Sequence, residues 1–193
     1  MNLFKLLTRE DIYYALRKKA DKNEIIFQED EQCKYVGIVK KGEISISTYT
    51  ASGNEMIYNE IEDGGIFGNN LLFSDQPFYR GHVVAKKETE ILLYSKAAFM
   101  RILQKNREFL EAYLSLEANF AKGLNGKIKL LSIQAADERL YYFLANQKRI
   151  TFKSISSLAN ALFMTRETLS RTVSKLVKEG KIIRKGNMIE LQK

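Results

Sequence analysis

The sequence predicts an α+β chain in three parts: an antiparallel, strand-rich first half, a long central helix, and a helical end closed by a hairpin. Three patterns predict it. Apolar residues alternate with period two in short pieces from Glu24 to Ser95, an apolar seam repeats at heptad spacing from Leu110 to Leu131, and two amphipathic helices precede a glycine-turned strand pair near the carboxyl end. At 193 residues, 45% of them apolar, the chain can build one large core or two small ones.

In the first half a helix from Thr8 to Lys19 is expected to pack outside the strands. Strands are expected at Ile25-Ile26-Phe27, Val36 to Val39, Glu43 to Tyr49, Met56 to Ile61 and Glu90 to Tyr94. In Ile44-Ser45-Ile46-Ser47 the alternation puts both isoleucines on one face. Lys41-Gly42, Ser52-Gly53-Asn54 and Asp63-Gly64-Gly65 mark turns. Many short strands at hairpin spacing imply an antiparallel β-roll.

A helical stretch follows from Lys96 to Leu131, with no proline to break it. Within it Leu110, Leu114, Glu117, Ala121, Leu124, Ile128 and Leu131 recur at intervals of 4, 3, 4, 3, 4 and 3, with Glu117 the polar exception. So narrow a seam has to be covered, and the same helix of a second copy is the economical cover. The alternative is that the helix lies on its own strand domain. Gly123 and Gly126 could mark close approach of two backbones, and Ser132 to Ala136 reads as a hinge. The expected domains are therefore residues 1–107, a roll with flanking helices; 108–136, a dimerisation helix and hinge; and 137–193, a helical end domain.

That end domain offers helices at Asp137 to Leu144, Ser154 to Leu162 and Thr165 to Lys178, then a hairpin of Ile182-Ile183-Arg184 and Met188 to Leu191 turned at Lys185-Gly186-Asn187. Helix, helix and hairpin outline a winged helix-turn-helix. Ser154 can cap the first helix of the pair and Thr165 the second, with Thr168 in place of the usual capping-box Glu or Gln. Leu169, Val173, Leu176 and Val177 should face inward, leaving Arg166, Glu167, Ser170, Arg171 and Lys175 outside.

Charge agrees with that placement. Residues 1–131 hold 19 Lys plus Arg and 18 Asp plus Glu, whereas residues 132–193 hold 12 and 5. A basic segment on a nearly neutral one suits an anionic polymer, since Lys and Arg release counterions condensed on phosphates. Arg donates two hydrogen bonds to the acceptor edge of guanine, Glu accepts from the cytosine amino group, and Ser or Thr bonds phosphates or bases. A carboxylate among cations suits base reading better than phosphate attraction. The ordinary alternative is a solvated helix face of mixed charge.

Composition excludes other chemistry. One cysteine, Cys33, cannot make an intrachain disulfide or a four-thiolate cluster, and one histidine, His82, cannot supply the ligand sets of cupin-like metal enzymes. No catalytic residue, metal or enzyme activity is expected. Without a signal-peptide pattern or an 18-residue apolar run, a cytoplasmic chain with no membrane partner is expected.

Thr165-Arg166-Glu167-Thr168-Leu169-Ser170-Arg171, followed by Lys175-Leu176 and Glu179-Gly180-Lys181-Ile182-Ile183, resembles the DNA-binding signature of the Crp/Fnr regulators. Glu24-Ile25-Ile26-Phe27, Val36-Gly37-Ile38-Val39-Lys40-Lys41-Gly42-Glu43 and Gly64-Gly65-Ile66-Phe67-Gly68 resemble that family's effector roll, a cyclic-nucleotide-binding-like domain. The resemblance implies a homodimer, joined by its long helices, that binds a palindromic duplex, acts on transcription and works with RNA polymerase. It matches Arg166, Glu167 and Arg171 to base-contacting positions and Ser170 to a position that varies between subgroups. Glu-x-x-Ser-Arg is similar to the arrangement associated with a TGA-containing half-site, and half-sites should lie about one helical turn apart.

The resemblance also points to an effector pocket at Gly68, Asn69, Asn70, Arg80, Gly81 and His82. Cyclic-nucleotide-binding members carry Glu where Asn69 stands and a hydroxyl residue where Gly81 stands, so of the identifying side chains only Arg80 is kept. Cyclic AMP is therefore not expected to bind in the usual way. The roll is open to an unidentified small-molecule effector, apolar or anionic, or to none, with no cofactor assigned. Arg80 could instead satisfy a loop, His82 is open to haem or to a satisfied polar role, and Cys33 to a redox role or to an inert, exposed or half-buried thiol. The rival function is a stand-alone cyclic-nucleotide-sensing or protein-interaction module without specific DNA binding.

Overall fold

The computed structural model describes residues 2–49, 53 and 55–192, residue 146 by its backbone. The strand elements are β1 (Leu16–Ala20), β2 (Ile25–Phe27), β3 (Tyr35–Lys41), β4 (Glu43–Tyr49), β5 (Glu55–Glu62), β6 (Ile66–Phe67), β7 (His82–Ala85), β8 (Thr89–Ser95), β9 (Arg149–Thr151), β10 (Ile182–Lys185) and β11 (Met188–Leu191). The helices are α1 (Arg9–Tyr13), α2 (Asn69–Leu72), α3 (Lys96–Lys105), α4 (Arg107–Ser132), α5 (Ala136–Gln147), α6 (Ile155–Ala161) and α7 (Arg166–Lys178). Two compact units result, Met1–Glu117 and Ala118–Lys193.

The first unit sets two four-stranded antiparallel sheets, ordered β1-β8-β3-β6 and β2-β7-β4-β5, around one core. Val36, Ile38, Ile44, Val83, Leu92 and Phe99 are fully or almost fully buried there. All five expected strands form, but the N-terminal helix from Thr8 to Lys19 does not. Thr8 and Asp11 make a reciprocal capping box that starts α1, yet the helix ends at Tyr13. Leu16–Ala20 then pairs with β8, Leu16 opposite Leu93, and sheet pairing overrides the local helix preference of Arg17-Lys18-Lys19. The short strands β6 and β7 were likewise not expected. On β4 both faces are covered, so Ser45 and Ser47 are as buried as Ile44 while Ile46 is half-exposed. Gly42 turns β3 into β4 at φ +116, a backbone angle that a side chain would strain. Of the turn expected at Ser52-Gly53-Asn54, Ser52 and Asn54 lie outside the described residues.

The helical stretch from Lys96 is two helices. Asn106 adopts an extended φ of −114 between them. Its side-chain oxygen accepts from Phe109 N at 3.0 Å and its amide donates to Leu6 O at 2.8 Å, so one residue ends α3, caps α4 and pins both to the N-terminus. Phe109, Ala112, Tyr113 and Leu116 form the stripe of α4 that packs on the roll core. The heptad seam lies on a neighbouring stripe. Leu110 and Glu117 are half-exposed and Ala121 is exposed, while Leu114, Leu124, Ile128 and Leu131 are 56%, 43%, 63% and 53% exposed.

The second unit packs α5, α6 and α7 against the antiparallel sheet β10-β11-β9. Its core holds Leu140, Leu144, Leu158, Leu162, Leu169, Val173, Leu176, Ile182 and Ile189. Each such side chain contributes roughly 1.5–3 kcal/mol of burial. The third strand, β9, was not expected: Ile150 pairs with Ile189 and turns the hairpin into a sheet. Among the described residues no helix is long and apolar enough to cross a membrane.

Candidate nucleic-acid interface

α7 begins where its sequence says it should. The Thr165 hydroxyl accepts from Thr168 N at 3.1 Å and donates to the Thr168 hydroxyl at 2.9 Å, so Thr165 caps α7 and Thr168 steadies the cap. Leu169, Val173 and Leu176 point into the core. Val177 does not: it is 42% exposed, and the fourth buried position is Thr172, whose hydroxyl donates to Thr168 O at 2.9 Å. A threonine satisfied by its own helix can enter a core that its polarity hides from a hydropathy pattern.

The opposite face carries Arg166, Glu167, Ser170, Arg171 and Lys175, all exposed, with Thr165 exposed at its start. An open groove along this face is lined by Ser170, Arg171, Ser174, Lys175, Lys178 and Glu179. A second, lined by Val173, Ser174, Val177, Lys178, Arg184 and Gly186, runs on to the β10–β11 turn. Lys175 differs from its neighbours. Its ammonium meets Asp137, in the first turn of α5, at 2.7 Å. The bond from Lys175 holds the Asp137 carboxyl below its usual range and Asp137 holds the ammonium above its own. The sequence reading placed Lys175 outside but missed this partner.

One further residue escaped the sequence reading. Arg139, half-buried on α5, donates from Nε to Ile133 O at 2.9 Å and from Nη1 to Phe163 O at 2.9 Å and Leu162 O at 3.3 Å. A lone cation among the inward positions around Leu140 was the only available signal, because its partners are backbone carbonyls.

The expected effector residues are arranged differently. Gly68 starts α2 at φ +75, and a Cβ there would come within 2.7 Å of Tyr35 O. Asn69 is buried, and its amide donates to Glu117 at 2.6 Å, beside Tyr113, whose hydroxyl burial and the Glu117 charge push up. A pocket candidate and the polar seam residue thus satisfy each other, which neither the loop pattern nor the heptad could reveal. Gly81 is buried, and a Cβ would strike Ser47 O. Asn70 and Arg80 are exposed, Arg80 reaching Gln76 at 3.5 Å. His82 Nδ1 accepts from Glu29 N at 3.2 Å, and the Glu29 carboxylate accepts from the Thr48 hydroxyl at 2.6 Å.

Cys33 corrects the expectation of an exposed or half-buried thiol. It is 2% exposed and its thiol donates to Tyr35 O and Gly68 O. Burial pushes the thiol up, against the lowering effect of the Tyr79 and Tyr35 bonds, which keeps it protonated.

Comparison with known proteins fits this geometry. Residues 17–106 match the cyclic nucleotide-binding domain. Over 202 aligned residues, 97% of this chain and 82% of the other, the sequence is 25% identical to the regulatory protein HlyX of Actinobacillus pleuropneumoniae. In fold the chain is similar to the catabolite activator protein of Thermus thermophilus, at a TM-score of 0.59 and 22% identity over 98% of this chain and 92% of that one. It is also similar to a mutant CooA of Carboxydothermus hydrogenoformans, at a TM-score of 0.68 and 20% identity over 100% and 92%.

Proposed function

We propose that the chain is a member of the Crp/Fnr family, a reading supported by its cyclic nucleotide-binding domain match and its similarity to HlyX, and that it is a homodimeric, sequence-specific DNA-binding regulator of transcription whose C-terminal unit is a winged helix-turn-helix. The observation that carries this reading is the outer face of α7, where two guanidiniums, a carboxylate and a hydroxyl stand exposed on a helix whose other face is locked into a core. Laid in a major groove, Arg166 and Arg171 donate to guanine edges, Glu167 accepts from cytosine and Ser170 adjusts to either. Thr165 and Lys175 lie beside the phosphates. The groove that joins α7 to the β10–β11 turn gives the backbone a second line of contact.

Two-fold binding needs two copies. The exposed seam of Leu110, Leu114, Ala121, Leu124, Ile128 and Leu131 supports pairing of α4 with its counterpart, because α4 uses a different stripe to pack on its own roll. A palindromic site with TGA-containing half-sites about one helical turn apart matches such a dimer. RNA polymerase would be its partner on the promoter.

The roll is proposed to sense something other than cyclic AMP in the usual pose. Asn69 stands where a ribose-binding Glu would be needed and is committed to Glu117, and a hydroxyl side chain at position 81 would strike Ser47 O. The deciding experiment titrates the chain onto random and TGA-containing palindromic duplexes at several salt concentrations. A preference for the palindrome that persists at high salt is expected. Equal binding to both would sink this reading and leave the stand-alone sensing or protein-interaction module.

A further inference from the structure

The last carbonyls of a helix have no N–H of their own helix to accept from, and each needs another donor. α4 ends at Ser132 and α6 at Ala161, so the carbonyls of Ile133 and of Leu162 and Phe163 come just past two helix ends. A single guanidinium serves all three. Arg139 turns Nε and Nη2 to Ile133 O and Nη1 to Leu162 O and Phe163 O. The second pair belongs to the turn between α6 and α7, where Phe163 holds φ at +53, a left-handed angle that a large side chain adopts only under constraint. Met164 N closes that turn on Ala159 O at 2.9 Å, and Thr165 caps α7 one residue later.

We propose that Arg139 is a positioning residue: it fastens the strained turn in front of α7 to the segment that leaves α4, and so sets the direction in which the DNA-reading face points. The inference rests on the reading of α7 as the DNA-binding helix. Asp137, two residues earlier on the same turn of α5, holds Lys175 farther along α7, so this turn grips α7 before its first residue and again in its last turns. The planar fork of arginine addresses two sets of acceptors at once. Lysine carries the charge but offers one nitrogen and cannot span them.

The unmutated full chain supplies the first measurement. By NMR, the Arg139 Nε–H is expected to exchange with solvent at least about tenfold more slowly than that of exposed Arg166; equal rates would overturn the clamp. Arg139→Lys is the second. It is expected to speed amide exchange from Phe163 to Thr168 and to cut the ratio of palindrome to random-duplex affinity by about tenfold each. A purely structural arginine would lower both affinities alike and leave their ratio intact, which would refute positioning. A variant that does not fold leaves the decision to the Nε–H rate. If the unmutated chain shows no palindrome preference, the DNA reading fails, and the two exchange measurements still decide the clamp.

Discussion

The two units treat their polar side chains in opposite ways. In the roll, Asn69 turns to Glu117, His82 to Glu29 and the Cys33 thiol to two carbonyls, while Asn70 and Arg80 stay exposed. In the C-terminal unit, Arg166, Glu167, Ser170 and Arg171 stand exposed on α7, Ser170 and Arg171 lining an open groove. A binding surface for a rigid polymer can be left standing open, because hydration satisfies it until the polymer arrives. A pocket inside a sheet cannot, because each buried polar group costs free energy unless it is paired. The contrast explains why the proposed DNA-reading face stands exposed while buried Asn69 and Cys33 in the roll are paired within the chain.

The comparison breaks first at the seam. Replacing Leu114 and Leu124 with Glu together should convert the proposed dimer to monomer and lower palindrome affinity by about 10²–10⁴-fold, the gain that linked binding supplies, with a much smaller effect on random duplex. Sedimentation and titration check both halves, and an intact dimer would show that α4 pairs by another face.

Next in size is Leu169→Ala. Leu169 is fully buried, and its truncation should cost the C-terminal unit about 2–5 kcal/mol in denaturant unfolding. Unfolding of the roll, followed through its own tyrosines, should not move. A shift in both transitions would mean that the two units melt as one.

Arg171→Ala sharpens the contrast without disturbing either core. It should lower cognate affinity by about 1–3 kcal/mol and leave random-duplex binding nearly unchanged. A comparable change of exposed Arg80 to Ala in the roll should leave both alike.

How much of this was legible follows from where each interaction sends its partner. α7 was legible because its period, its Thr165 cap and its outward residues all lie within one short window. The five strongest strands were legible for the same local reason. β1 was not, since nothing in Leu16-Arg17-Lys18-Lys19-Ala20 announces that β8 will pair with it. The break at Asn106 was hidden because one asparagine serves Phe109 and, at the other end of the unit, Leu6. Asn69 needs Glu117, 48 residues away, and Arg139 needs carbonyls, which every residue has and no letter marks. Long-range polar pairing was therefore the blind spot, and it governs the roll more than α7.

Lys175 is the exception on the open face, and it gives the smallest effect. Its charge is offset by Asp137, so the cation proposed to lie beside the phosphates is already engaged. Asp137→Asn keeps the size of the side chain and frees the ammonium. Affinity for palindrome and random duplex should then rise together, and the slope of log affinity against log salt should steepen by about 0.9, one further counterion released. The pair itself contributes little to folding because it is exposed. Its pH dependence has a definite sign. Asp137 sits below its ordinary value, so its share of the stabilisation is present above about pH 4 and is lost as pH falls through the lowered folded value. A carboxyl titration by NMR should show that lowered midpoint return to the ordinary range in Lys175→Ala. An unchanged salt slope in Asp137→Asn would mean that Lys175 leaves Asp137 for phosphate at no cost, and α7 would then be open along its whole length.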